Sequence, residues 1–291
     1  VEVRGADLLL TVGAELAHAS GLPVAVTDDP RGLLGDISAW LYETDSLTAP
    51  LFGITGTNGK TSTVHLLKAI LQQMGIATGL SSTAERHVGG TNVVSGLTTP
   101  EATEMHGLLA RMTEDGAGAF AIEVSAQALT RRRVDGIRFH VAGFTNLTHD
   151  HLDDYGDMRS YLMAKATLFT PERSQRAVIC LDTPAGSELL GLATVPVTTI
   201  SSNPEVDADW HVAVTAQRPA GVEFTITARS GEALSTRIPI IGAHMAANAG
   251  LAIAMIVEAG YLFADVAAAL EADGGIQVYI PGRSERVSGD R

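Results

Sequence analysis

The chain has 291 residues, with 33 acidic against 20 basic side chains. Its formal net charge of −13 excludes a protein that wraps a nucleic-acid backbone. At 45% hydrophobic and 18% charged residues it holds apolar material for one large or two medium cores, which excludes global disorder. Its one cysteine, Cys180, excludes an internal disulfide and a cysteine-rich zinc site, and its place after Ala177-Val-Ile reads as inert core.

In chain order, residues 8–12 and 23–26 read as short strands, with helices expected over 14–20 and 31–42. Residues 1–47 would then form a small α/β piece, thin for an independent domain. From Leu51 strands and helices alternate. Strands are expected over 51–55, 119–124, 139–146 and 177–181, and helices over 61–74, 102–115, 159–169 and 245–260. Continuous apolar strands between helices predict an α/β fold: a mostly parallel sheet of phosphate-loop type with helices on both faces. Three segments between 210 and 240 alternate with period two around the turns Pro219-Ala-Gly221 and Ser230-Gly-Glu232, which predicts an antiparallel meander. No apolar run reaches transmembrane length, and Val1-Glu-Val-Arg4 lacks a signal-peptide layout, so the cytoplasm is the expected compartment.

The most informative stretch is Leu51-Phe-Gly-Ile-Thr-Gly-Thr-Asn-Gly-Lys-Thr-Ser-Thr63. Strand, Gly-rich turn, Lys-Thr and helix is the layout of a loop whose backbone N–H groups face a phosphate. Lys60 would place a charge on the outer phosphates, and Thr61 or Ser62 would offer a hydroxyl to Mg²⁺. Ile54 stands where the general pattern has glycine, so this is the tighter Gly-Thr-Asn-Gly-Lys-Thr form. Functional loops should gather at the carboxyl ends of the strands.

Other candidates follow predicted strands. Glu123 could bind Mg²⁺ or serve as a strand-end ion pair. Thr145-Asn-Leu-Thr-His149-Asp-His-Leu-Asp-Asp154 suggests metal or the capping of the next helix. Lys165, on an Ala-rich helical surface, reads either as a snorkelling lysine or as a neutral amine that adds CO₂ to become a carbamate. Thr99 before Pro100 reads as a helix cap with proline at the first helical position. Arg131-Arg-Arg133 forms a local positive patch suited to an anionic substrate group, or merely solvated charge.

Taken together these runs resemble the Mur ligase family of ATP-dependent amino-acid ligases in peptidoglycan synthesis. They look most like its MurE-type members, which add the third residue of the stem peptide. The matching pieces are Gly53-Ile-Thr-Gly-Thr-Asn-Gly-Lys-Thr61, Leu97-Thr-Thr-Pro100, Glu123-Val-Ser125, Arg133-Val-Asp-Gly136, Phe144-Thr-Asn-Leu147, Asp150-His-Leu-Asp153, Ala164-Lys-Ala166 and Pro281-Gly-Arg283, in family order. The resemblance implies that Gly56, Thr57, Asn58, Gly59, Lys60, Thr61, Ser62, Asn248 and Arg283 bind ATP. It implies Mg²⁺ on Thr61, Glu123, His151 and a carbamylated Lys165, with Lys60, Lys165 and His151 catalytic. It also implies that Thr98, Thr99, Ser125 and Arg133 hold a UDP-MurNAc-dipeptide to which meso-diaminopimelate or L-lysine is joined through an acyl phosphate. Gln127, Arg131, His149, Met245 and Ser284 depart from the usual MurE-type residues. Alternatives are a folylpolyglutamate synthase-like or cyanophycin synthetase-like ligase, or a non-catalytic paralogue.

The implied organisation is a partial UDP-substrate domain at 1–47, an ATP-binding central domain at 48–283, and at 284–291 the start of a C-terminal domain lying beyond Arg291. A chain so bounded is expected to bind ATP weakly and not to turn over alone.

Overall fold

A computed structural model describes residues 9–11, 24–84, 86–88, 91, 92, 97–150 and 152–282. The helix expected over 14–20 lies outside the described residues, as do the candidate site residues His151 and Arg283.

Near the N-terminus, strands β1 (Leu9–Thr11) and β2 (Val24–Val26) pair in parallel as a two-stranded sheet. Helix α1 (Pro30–Leu41) follows, begun by Pro30 at its first turn and capped by the Asp29 carboxylate, which accepts from Gly32 N at 2.9 Å. The remaining strands form one 11-stranded sheet. In chain order these are β3 (Leu51–Thr55), β4 (Thr78–Ser81), β5 (Arg86–Val88), β6 (Thr91–Asn92), β7 (Ala119–Glu123), β8 (Phe139–Phe144), β9 (Ser174–Cys180), β10 (Val197–Ser201), β11 (Trp210–Arg218), β12 (Gly221–Ala228) and β13 (Ala233–Ile238). Their spatial order is β13-β12-β11-β10-β9-β8-β3-β7-β4-β5-β6. The strands from β11 across to β4 that pair side by side run parallel, while β11-β12-β13 and β4-β5-β6 are antiparallel.

The α/β sheet and the meander match the sequence expectation. The antiparallel strands at the β5-β6 edge, and β4 and β10 within the sheet, were not anticipated. Thr78-Gly-Leu-Ser81 and Val197-Thr-Thr-Ile-Ser201 are short and rich in small polar residues, and neither carries a period.

Helices cover both faces: α2 (Lys60–Gln73), α3 (Ala102–Glu114), α4 (Ala126–Thr130), α5 (Leu152–Tyr155), α6 (Met158–Ala166), α7 (Pro184–Leu192), α8 (Ala243–Glu258) and α9 (Phe263–Ala272). The expected 159–169 helix ends at Ala166, and a 3-10 turn carries residues 167–169. Phe52 and Ile54 point into the core under α2 and α8, whereas Leu51 joins Phe120, Ile122 and Phe139 in the opposite core. Alternate residues of one strand thus enter two cores, which explains why β3 is apolar throughout. No helix among the described residues is long and apolar enough to cross a membrane.

Central position and register place the chemistry. β3 lies between β7 and β8, with Ile54 opposite Glu123 and Thr55 opposite Phe144. The loop leaving β3 therefore emerges between the carboxylate ending β7 and the segment leaving β8.

Thr99 does not cap α3. That helix begins at Ala102, with Glu101 at the N-cap, and the Thr99 hydroxyl turns inward, donating to Glu123 O at 2.9 Å and accepting from Ser125 N at 3.1 Å. On the same helix His106 is fully buried. Its Nε2 donates to Asp135 O at 2.9 Å, so its Nδ1 accepts from the Thr44 hydroxyl at 2.5 Å.

Candidate active site at the carboxyl ends of the central strands

After β3 the chain turns through Gly56 and Gly59 into α2, whose first residue is Lys60. Gly59 has φ 88°, and a Cβ there would stand 2.7 Å from Asn248 Oδ1, so conformation and space both require glycine. The segment after β8 clasps the loop. Asn146 O accepts from Thr57 N at 2.9 Å and Asn146 Oδ1 from Asn58 N at 3.0 Å. Thr145 Oγ1 and Asn146 Nδ2 both donate to Asn58 O, at 2.6 and 3.1 Å. Thr148 N donates to Thr57 Oγ1 at 3.0 Å. Thr145, Asn146 and Thr148 stand in the polar run before His149, but their hold on the loop is visible only in the structure.

Charge gathers beneath this loop. Lys60 Nζ donates to Gly56 O at 3.1 Å and Thr57 O at 2.9 Å, and stands 4.0 Å from Glu123 Oε1. Glu123, only 2% exposed, accepts on Oε2 from the Thr61 hydroxyl and from Thr83 N, each at 3.0 Å. Lys165 reaches the same place from α6: Nζ donates to Gly56 O at 2.9 Å and lies 4.4 Å from the centroid of the Tyr161 ring. Lys165 is 1% exposed, which overturns the snorkelling alternative. Burial, and then the Lys60 charge, hold its ammonium well below the usual lysine range, opposed by Asp150. Ser62 is buried in the first turn of α2.

The arginine run does not form a patch. Arg131 lies 3.8 Å from Asp154, Arg132 bonds Asp29 at 2.6 Å, and Arg133 Nε donates to Glu101 Oε1 at 2.9 Å. The turn after α4, with Arg132 at φ 57°, aims the three side chains in different directions, and each of these cations meets a different carboxylate. Arg133 is buried, and its partner Glu101 lies two residues along the chain from Thr99. Ser125 caps α4, accepting from Ala128 N at 3.0 Å, and Thr98 Oγ1 accepts from Thr83 Oγ1 at 3.2 Å.

On the other flank of the loop is a cavity of about 440 Å³, lined by Thr145, Asn146, Asp182, Thr183, His244 and Asn248 among others. That volume suits a small-molecule site. The buried Thr183 Oγ1 has no hydrogen-bond partner and lines this space. Cys180 forms part of the wall, its thiol pushed up to about 12 by burial, in keeping with an inert core residue. Among the described residues no three His, Cys, Asp or Glu side chains form a metal cluster. Thr61 and Glu123 nonetheless supply the hydroxyl and carboxylate oxygens that suit Mg²⁺, a cation that takes few protein ligands beside phosphate.

Residues 54–256 match the model of the Mur ligase middle domain. The chain belongs to the Mur ligase family. This Mur ligase chain is 56% identical over 279 residues to a UDP-N-acetylmuramyl-tripeptide synthetase of Leifsonia xyli, covering 96% of the chain and 54% of the relative. It is 41% identical over 286 residues to a UDP-N-acetylmuramoyl-L-alanyl-D-glutamate–2,6-diaminopimelate ligase of Streptomyces avermitilis, covering 97% of the chain and 55% of the relative. The chain thus spans about half the length of these curated relatives. A solved structure of a UDP-N-acetylmuramoyl-L-alanyl-D-glutamate–2,6-diaminopimelate ligase superposes with TM-score 0.77 at 22% identity, over 90% of this chain and 58% of that one. A Mycobacterium tuberculosis folylpolyglutamate synthase complexed with ADP superposes with TM-score 0.65 at 21% identity, over 88% of this chain and 64% of that one. Both share the fold of this Mur ligase chain.

Proposed function

We propose that this chain is the ATP-binding part of a MurE-type ligase. The full-length protein would join an amino acid, meso-diaminopimelate or L-lysine, to UDP-MurNAc-L-Ala-D-Glu in the cytoplasm, releasing ADP and phosphate. The observation that carries the reading is the convergence of Lys60, the Thr61–Glu123 pair and buried Lys165 on the Gly56 loop. The relatives' names supply the substrate class.

A substrate carboxylate attacks the γ-phosphoryl group of ATP, giving an acyl phosphate. The amine of the incoming amino acid then attacks that acyl carbon, and phosphate leaves. Two anions must approach, so the protein has to neutralise charge where it develops. The loop N–H groups and Lys60 would do this for the phosphates. Thr61 and Glu123 would hold one Mg²⁺, which supplies charge neutralisation and orients the phosphates. Lys165, its pKa lowered by burial and by Lys60, gives up a proton more readily than an exposed lysine and so presents a lone pair. Its addition to CO₂, with loss of a proton, would turn an unhelpful cation into a carbamate anion able to hold a second Mg²⁺ beside His151. The cavity beside Asn248 would take the nucleoside, with Arg283 completing the nucleotide contacts. Thr98, Thr99, Ser125 and Arg133 would take the muramoyl peptide.

The test is phosphate release by the full-length protein. Release that depends on both UDP-MurNAc-L-Ala-D-Glu and an amino acid is expected, and Lys60→Ala should abolish it. Release with a folate acceptor instead would move the protein to the folylpolyglutamate branch, and none with either would leave a non-catalytic paralogue.

A further inference from the structure

Glu101 occupies the N-cap of α3 without capping it: its side chain makes no hydrogen bond to its own helix. Glutamate is not among the residues favoured at that position, where Asp, Asn, Ser and Thr reach back to the second or third N–H. Its carboxylate instead spans two arginines. Oε1 accepts from Arg133 Nε at 2.9 Å, and Oε2 accepts from Arg31 Nη2 at 2.7 Å. Arg31 comes from α1, and its Nε donates to Arg131 O at 2.9 Å, which fixes the plane of its guanidinium. The Arg133 side chain is 7% exposed, whereas Glu101 and Arg31 are 40% and 50% exposed. The two cations therefore form a carboxylate seat open to solvent on one side. Glu101 follows Thr98, Thr99 and Pro100 directly, so the seat adjoins the hydroxyls assigned to the peptide.

A D-glutamyl terminus carries two carboxylates. One reacts with ATP; the other must be neutralised and kept from reacting. We infer that Arg31 is a further substrate-binding residue, forming with Arg133 a two-arginine clamp for the non-reacting carboxylate of the acceptor, and that Glu101 is an internal carboxylate that holds this clamp and competes with the acceptor. The inference rests on the function proposed above. Two guanidinium groups on separate oxygens recognise a carboxylate by geometry as well as charge. An internal ligand lowers apparent affinity by the fraction of molecules in which the seat is closed, so its removal tightens substrate binding. A tie that merely fastened α1 to the sheet would do the reverse, because its loss would loosen Arg133. As an exposed ion pair it would stabilise the fold little.

The experiment is steady-state kinetics on the full-length enzyme, with ATP as internal reference. Glu101→Gln keeps shape and removes the charge; its KM for UDP-MurNAc-L-Ala-D-Glu should fall about threefold or more, with KM for ATP unmoved. Arg31→Ala should raise the acceptor KM about fivefold or more, the scale of one charge-assisted hydrogen bond, and Arg31→Lys should recover part of it. An acceptor whose non-reacting carboxylate is converted to the amide should lose the response to both substitutions. An acceptor KM that rises or stays level in Glu101→Gln, or stays level in Arg31→Ala, overturns the clamp. Absence of turnover by the unmodified full-length enzyme overturns the proposed function and the clamp with it, whereas turnover without these KM shifts overturns the clamp alone.

Discussion

Lys60 and Lys165 donate to one and the same acceptor, the carbonyl oxygen of Gly56, at 3.1 and 2.9 Å. Two ammonium groups on one carbonyl repel, and the more deeply buried Lys165 yields: its pKa is depressed, with the Lys60 charge among the causes. The shared carbonyl thus sets Lys60 beside a second, buried lysine whose pKa is pushed down.

From this pairing, Lys165→Ala should lower phosphate release by the full-length enzyme about a hundredfold or more, the scale of losing one fixed electrostatic contact. Added short carboxylates should restore part of the rate by standing in for the carbamate. Lys165→Met should be equally inactive but more stable, since an apolar chain of similar length removes a buried amine; a gain of roughly 1–4 kcal/mol in denaturant unfolding is expected. A wild-type rate in either variant would refute the assigned role.

Glu123 is read by its Mg²⁺ dependence. Glu123→Gln keeps the shape that receives Thr61 and Thr83 N but removes the charge. The Mg²⁺ concentration for half-maximal phosphate release should rise about tenfold or more, the scale of losing a group that binds or orients the ion. An unchanged Mg²⁺ titration would leave Glu123 as an ion pair with Lys60.

Gly59→Ala places a Cβ against Asn248 Oδ1 in a positive-φ backbone. A cost of about 1–3 kcal/mol in unfolding free energy is expected, with a raised KM for ATP. Gly75 also has a positive φ, but nothing stands within 4 Å of a Cβ there. Gly75→Ala therefore separates backbone strain from the collision with Asn248, and should spare the KM.

His106 sets a pH dependence of stability. Burial lowers its pKa below the ordinary 6.5, against smaller raising effects from Asp135, Asp36 and Asp45. Between the depressed folded value and 6.5 the unfolded chain binds more protons than the folded one, so stability rises with pH across that window. Acidification from 6.5 downward should therefore destabilise the protein, and His106→Gln should flatten that part of the profile in urea unfolding at stepped pH. Equal slopes in both proteins would remove His106 as the source.

Much of the site could be read in the sequence because its parts are local. Gly56 to Ser62 sit in one run that must turn tightly after a buried strand and before a helix. Glu123 ends the next apolar strand, and register alone carries it to the loop, Ile54 pairing with Glu123. The clasp by Thr145, Asn146 and Thr148 is hidden because it joins residues 87 to 91 positions apart by pairing side chains with backbone atoms, which no local side-chain pattern reports. The arginine run misled for a related reason: adjacent charges look like a patch in one dimension, yet a turn spreads them to Asp154, Asp29 and Glu101.

The sequence by itself determined the α/β alternation, the phosphate-loop turn and the family, since hydrophobic period, glycine placement and short ordered motifs are written along the chain. Only the tertiary structure decided that Lys165 is buried against the Gly56 carbonyl, that Thr99 turns inward to Glu123 and Ser125, and that Glu101 bridges Arg31 and Arg133. Burial and charge pairing depend on what other elements bring to a residue, and an Ala-rich helical face reads the same whether water or a loop carbonyl lies above it.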